Sequence, residues 1–164
     1  MTSLRYHELS QYLANARGME IVVDAEGAVL GRLASIVAKL ALLGFRVHVV
    51  NVERAVVTGD RKRVIEGYKL WLEVRTHKNP YRHAPHRPRN PIALFKKAVW
   101  GMLPKDWKGK KALKRVKAYI GVPEELAKRE RIVIRETLAE ELKRSEYVTL
   151  AEIAKAMGWK GVGL

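Results

Sequence analysis

Apolar and polar positions switch between two periods along this chain. Ile21-Val22-Val23 is an apolar run too short for a helix and bounded by Asp24-Ala25-Glu26-Gly27, so it reads as a buried strand. Over residues 30–43 the period lengthens. Leu30, Leu33, Ala34, Val37 and Ala41 share one stripe while Arg32, Ser35 and Lys39 face away, which predicts an amphipathic helix stopped at Gly44. Residues 45–50 read as a second strand, and Ala55-Val56-Val57, ended by Thr58-Gly59, as a third. The link Asn51-Val52-Glu53-Arg54 is too short for a crossover helix, which leaves the pairing of that third strand open. A second helix is expected over 60–74 with Val64, Ile65, Tyr68, Trp71 and Leu72 as its buried face. Gly67 weakens it by about 1 kcal/mol relative to Ala.

Four of the six prolines crowd into residues 80–91, where each removes a backbone donor and fixes φ, so an ordered loop or strap is expected there. A third helix starts at Pro91, a residue suited to the first helical position, and runs to about Met102. A short helix over 110–115 and a fourth strand over 116–120 follow. Gly121-Val122-Pro123 then opens a tail of mixed charge. It ends in a helix marked by a Thr149/Glu152 capping box, a Val148/Ile153 staple and a stop at Gly158. Strands alternating with helices predict a three-layer α/β core over 19–121, with an N-terminal arm (1–18) and a C-terminal extension (122–164).

Charge changes this picture. The 164 residues carry a net +15, and residues 75–121 hold fourteen cations against a single acid, Asp106. Thirteen of the fifteen net charges therefore lie in that segment, and the rest of the chain is close to neutral. Concentrated charge of this kind is what a polyanion-binding surface needs. A pI near 10.2 points to nucleic acid first and an anionic membrane second. No apolar run approaches the roughly 20 residues that span a bilayer. The first residues lack a signal-peptide layout, and without cysteine a cytosolic address is the simplest reading. Few amides beside 30% charged residues are compositional features of thermophilic proteins.

Candidate chemistry narrows accordingly. Gly27 and Gly31, with Glu53 after the second strand, resemble part of a dinucleotide site but lack its Gly-x-Gly pair, so no cofactor is expected. His77, His83 and His86 have cationic neighbours and no cysteine partner, which disfavours a metal. No nucleophile or paired-carboxylate pattern supports catalysis. The polyanion-binding candidates are Lys78, Arg82, His83, Arg87 and Arg89 in the proline-rich loop, and Lys96, Lys97 and Trp100 in the third helix. Lys105, Lys108, Lys110, Lys111, Lys114, Arg115 and Lys117 continue the set, which makes 75–117 the basic surface of the core. Arg32 on the first helix, and Arg61 and Lys62 at the start of the second, are further candidates. Aromatics set among the cations and an irregular backbone favour RNA over duplex DNA. An RNA-modifying or nucleotide-dependent enzyme and a DNA-compacting protein are the competing readings.

The chain resembles the family of the thirteenth protein of the large ribosomal subunit, in its longer archaeal and eukaryotic branch. The resemblance runs through Val23-Asp24-Ala25-Glu26-Gly27-Ala28-Val29-Leu30-Gly31-Arg32-Leu33-Ala34-Ser35 and Val49-Val50-Asn51-Val52-Glu53-Arg54-Ala55-Val56-Val57-Thr58-Gly59. Its most specific part is Ala98-Val99-Trp100-Gly101-Met102-Leu103-Pro104, followed by Lys111-Ala112-Leu113-Lys114-Arg115-Val116-Lys117-Ala118-Tyr119-Ile120-Gly121. Tyr147-Val148-Thr149-Leu150-Ala151-Glu152-Ile153-Ala154 and Gly158-Trp159-Lys160 mark the longer branch. The family commonly has Arg where Trp100 stands, so an ionic contact by that Arg does not carry over. The resemblance implies a four-stranded, largely parallel sheet between helices. It also implies a non-catalytic scaffold, monomeric within the ribosome, that binds large-subunit rRNA beside other ribosomal proteins without cofactor, small-molecule substrate or membrane.

Overall fold

A computed structural model describes residues 2–14, 20–75, 78–83, 87–141 and 146–161. In chain order its elements are β1 (Thr2–Leu4), α1 (Tyr6–Ala14), β2 (Glu20–Asp24), α2 (Leu30–Leu43), β3 (Arg46–Val50) and β4 (Val56–Thr58). Next come α3 (Arg61–Glu73), α4 (Pro80–His83), α5 (Pro91–Met102), α6 (Trp107–Arg115) and β5 (Val116–Ala118). The last are α7 (Glu124–Ala127), β6 (Arg131–Ile134), β7 (Tyr147–Thr149) and α8 (Leu150–Ala156).

The fold is three-layer α/β/α around a parallel sheet of five strands, in the order β1-β6-β2-β3-β5. Sequence reasoning expected four. Two of the five were missed, because β1 and β6 are only three and four residues long and sit in segments read as arm and charged tail. Their side chains nevertheless close the sheet, and Ile132 and Ile134 are buried in the main core. Strand alternation divides the sheet into two faces. Ile21, Val23, Val47, Val49, Val116 and Ala118 pack under the α2 side. Val22 and Val50 meet Leu126 of α7, with Tyr119 and Val122, on the other.

The third expected strand is real, but it lies outside the sheet. Asn51 takes a left-handed conformation (φ 54°) and the chain makes a 3-10 turn over Val52–Arg54. With no room for a crossover, β4 cannot return parallel to β3. It pairs antiparallel with β7 instead, Val57 opposite Val148. That pairing brings the C-terminal helix α8 against the interior. Leu150, Ile153 and Ala154 are buried there, and Gly158 (φ 96°) follows the helix end. Only half of the expected capping box forms. Thr149 Oγ1 accepts from the Glu152 N–H at 3.3 Å, while the Glu152 carboxylate pairs with Arg61 at 3.0 Å.

The α2 stripe is buried as expected, and Gly44 closes the helix with φ 108°. By contrast, α3 has no fully buried residue. Val64, Ile65, Tyr68 and Leu72 are half-buried and Trp71 is 38% exposed. The helix has its expected apolar stripe, but it lies on the rim of the core rather than under another layer.

Candidate nucleic-acid interface

Two helices carry most of the basic segment, and local sequence fixes both. Asn90 caps α5, its side-chain oxygen accepting from the Ala93 N–H at 2.6 Å, with Pro91 opening the first turn. Leu94, Phe95 and Val99 point into the core, so the remaining stripe of α5 faces outward. Asp106 caps α6, accepting from the Gly109 N–H at 2.9 Å, and starts the helix earlier than the basic run alone predicts. The one acid of residues 75–121 is therefore engaged in holding a basic helix in place. Gly109 and Ala112 face inward, which leaves Lys108, Lys110, Lys111 and Lys114 exposed.

Gly109 permits this arrangement by its lack of a side chain. A Cβ built there lies 1.8 Å from the Pro104 carbonyl oxygen, a contact only backbone movement can relieve. We expect Gly109→Ala to destabilise the fold by about 1–3 kcal/mol through overpacking, measured by denaturant unfolding. An unchanged midpoint would mean that the α5–α6 connection is not tightly seated.

Between the two helices lies an open groove of about 550 Å³, lined by Arg87, Ala93, Lys96, Lys97, Trp100 and Leu113 among others. Ala93, Lys96, Lys97 and Trp100 follow the i, i+3, i+4, i+7 spacing of one helix face. Three of the four tryptophans sit beside a lysine: Lys97 Nζ is 5.3 Å from the Trp71 ring centre, Lys105 Nζ 4.1 Å from Trp100 and Lys108 Nζ 5.7 Å from Trp107. Lys105 also donates to the Trp100 carbonyl, and Arg87 Nη2 to the carbonyl of Val74. Arg89 Nη1 lies beside Gly158, at the C-terminal end of α8. Thus Arg87, Lys96, Lys97 and Trp100 line one groove with Lys105 over the Trp100 ring, and Lys108, Lys110, Lys111 and Lys114 are exposed on the adjacent α6.

Other candidates lie apart from it. Arg115 is turned inward, with Nη1 donating to the Ala41 carbonyl at 3.0 Å, and so satisfies the end of α2. Lys117 is on β5 between two core residues, so it projects from the opposite sheet face, in register with His48. His48 itself stacks on Tyr119, with ring centres 5.8 Å apart. Burial is the main influence on that imidazole and lowers its pKa; Glu20 acts the other way, and Lys117 in the same direction as burial. Arg61 is paired with Glu152, while Lys62 lies near it in an open depression on α3. Arg32 borders a separate cleft with Tyr6 and Lys39, its Nη1 3.5 Å from the Glu136 carbonyl. Lys78, Arg82 and His83 are exposed on and before α4. His77 and His86 lie outside the described residues.

The sequence alone does not single out Trp71 or Leu113 as part of this region. Trp71 read as core from its helical stripe, and nothing in the sequence marks Lys97 as its neighbour. Of the dinucleotide-like features, Glu53 has a bonding role in the fold, and Asp24 beside it does too. Both Glu53 carboxylate oxygens accept from the Gly121 N–H, at 3.2 and 3.1 Å, and Asp24 accepts from Asn51 Nδ2 at 2.9 Å. These bonds tie the carboxyl ends of β2 and β3 to the turn after β5, where a nucleotide would sit in such a fold.

Residues 18–125 match the family described as Ribosomal protein L13. A "Large ribosomal subunit protein uL13" of Aeropyrum pernix is 48% identical, the match covering 91% of this chain and 96% of that protein. The protein of the same name from Saccharolobus solfataricus is 46% identical over 86% of this chain and 94% of its own. That of Archaeoglobus fulgidus is 43% identical over 86% and 89%. A family match over residues 18–125, joined to 43–48% identity with these archaeal proteins over 86–91% of the chain, places this chain in the ribosomal protein L13 family.

Proposed function

We propose that this protein, by its family a structural, non-catalytic constituent of the large subunit of the cytoplasmic ribosome, grips large-subunit rRNA through the α5–α6 surface. The observation that carries the reading is the distribution of charge on those helices. Exposed lysines stud α6, Lys96 and Lys97 lie on α5, and the one acid of residues 75–121, Asp106, accepts from a backbone amide. Phosphates brought together where RNA helices pack repel one another, and a rigid row of ammonium groups offsets that repulsion at fixed spacing. The parallel sheet and α2 supply the rigidity, because α5 and α6 both pack on α2 through buried aliphatic and aromatic side chains. Other ribosomal proteins are its neighbours in the subunit.

The test is sedimentation of the full-length chain with large subunits through a cushion at moderate salt. It is expected to travel with the subunits, and a variant neutralised at Lys108, Lys111 and Lys114 is expected to be partly released. Equal retention of the two would move the rRNA contact away from α6.

A further inference from the structure

We propose that the groove between α5 and α6 receives a single unpaired nucleotide, its base against the Trp100 indole and its phosphate on the lysine rim. The inference rests on the rRNA-binding reading above and specifies what one part of that surface recognises.

The lining has two chemistries that a regular RNA duplex cannot satisfy together. Ala93, Trp100 and Leu113 give the groove an apolar floor, whereas Arg87, Lys96 and Lys97 supply the charge around it. An A-form helix offers phosphates and 2′-hydroxyls, and its base faces are hidden by stacking. Set on this groove, it would meet the cations but leave the floor against polar backbone or water. A nucleotide splayed out of its stack presents a π-face and a phosphate together, which is the pairing the groove displays.

The indole is also prepared as a platform. Trp100 is half-buried and packs against the core, so little side-chain freedom remains to be lost on stacking. Lys105 Nζ sits 4.1 Å from the ring centre, so a base on the remaining face completes a base–indole–cation stack. Arg87, tied to the Val74 carbonyl, keeps its Nε buried without a hydrogen-bond partner among the described residues. A small rotation of that guanidinium offers the donor to an incoming base or phosphate oxygen and removes the deficit.

The experiment compares the full-length chain on two RNA hairpins of equal length, one fully paired and one with a single bulged 2-aminopurine, at constant salt. The wild-type protein is expected to bind the bulged hairpin more tightly and to quench the 2-aminopurine emission. Trp100→Leu keeps an apolar side chain in the core contact but removes the π-face. It is expected to weaken bulged-hairpin binding roughly 5- to 150-fold, the range for loss of one base–aromatic stack. Binding to the paired hairpin, and the slope of affinity against salt for both RNAs, should not change. Trp100→Phe should retain most of the preference. Equal wild-type affinity for the two hairpins, or unquenched emission, overturns the proposal while leaving the electrostatic reading intact. Absence of salt-sensitive binding to either hairpin overturns both. The wild-type comparison decides the matter even if the leucine variant does not fold.

Discussion

Affinity for large-subunit rRNA is expected to fall by about 10³–10⁵ between 50 and 200 mM salt, if the α5–α6 surface neutralises on the order of 6–10 phosphates. Eight candidate cations lie on α5, on α6 and in the loops beside them, a number within the range of contacts assumed here. Each contact releases condensed counterions, so the logarithm of affinity should be linear in the logarithm of salt with a slope of roughly −0.7 to −0.9 per phosphate. Filter binding or fluorescence anisotropy over that salt range measures the slope directly. A nearly flat response would mean that base contacts and shape dominate, and the electrostatic account would be abandoned.

The second large effect separates placed charge from total charge. Lys110→Glu with Lys111→Glu reverses two exposed lysines on α6. Arg5→Glu with Lys128→Glu changes net charge equally, but these residues lie after edge strand β1 and after α7, away from the α5–α6 face. The α6 pair is expected to lower affinity roughly 10- to 100-fold near 0.1 M salt and to flatten the salt slope by about two phosphate contacts. The distal pair should cost far less and leave the slope nearly unchanged. Equal losses would show that the overall positive field, not a built surface, holds the RNA. Arg131 is unsuitable as a control although it lies in the mixed-charge tail. It is half-buried, 3.6 Å from the buried carboxylate of Asp24, so its reversal would place two acids together beside the core.

Much of this was legible from residues acting locally. The α2 stripe, its glycine stop, the proline entry to α5 and the Thr149 cap are short-range patterns whose physics is complete within one or two turns of helix. The location of the charge was legible for the same reason, since a count along the chain needs no coordinates. Short strands were less legible. Arg131-Ile132-Val133-Ile134 has strand character, but in a charged context it gained weight only from the strands on either side of it.

By itself, then, the sequence determined that an α/β protein concentrates its positive charge in one segment, and its motifs tied that protein to a ribosomal family. Tertiary structure decided which cations lie on the same side of the fold. Arg115 and Lys117 are adjacent to the α6 lysines in sequence, yet one turns in to the α2 carbonyls and the other emerges on the opposite sheet face. Helix-to-strand conversion at Val116 changes the side-chain period from 3.6 to 2, and linear proximity stops predicting a shared surface at that residue. Trp71 and Lys97 show the converse. They are twenty-six positions apart in the numbering, but the packing of α3 and α5 around a common core makes them neighbours at 5.3 Å.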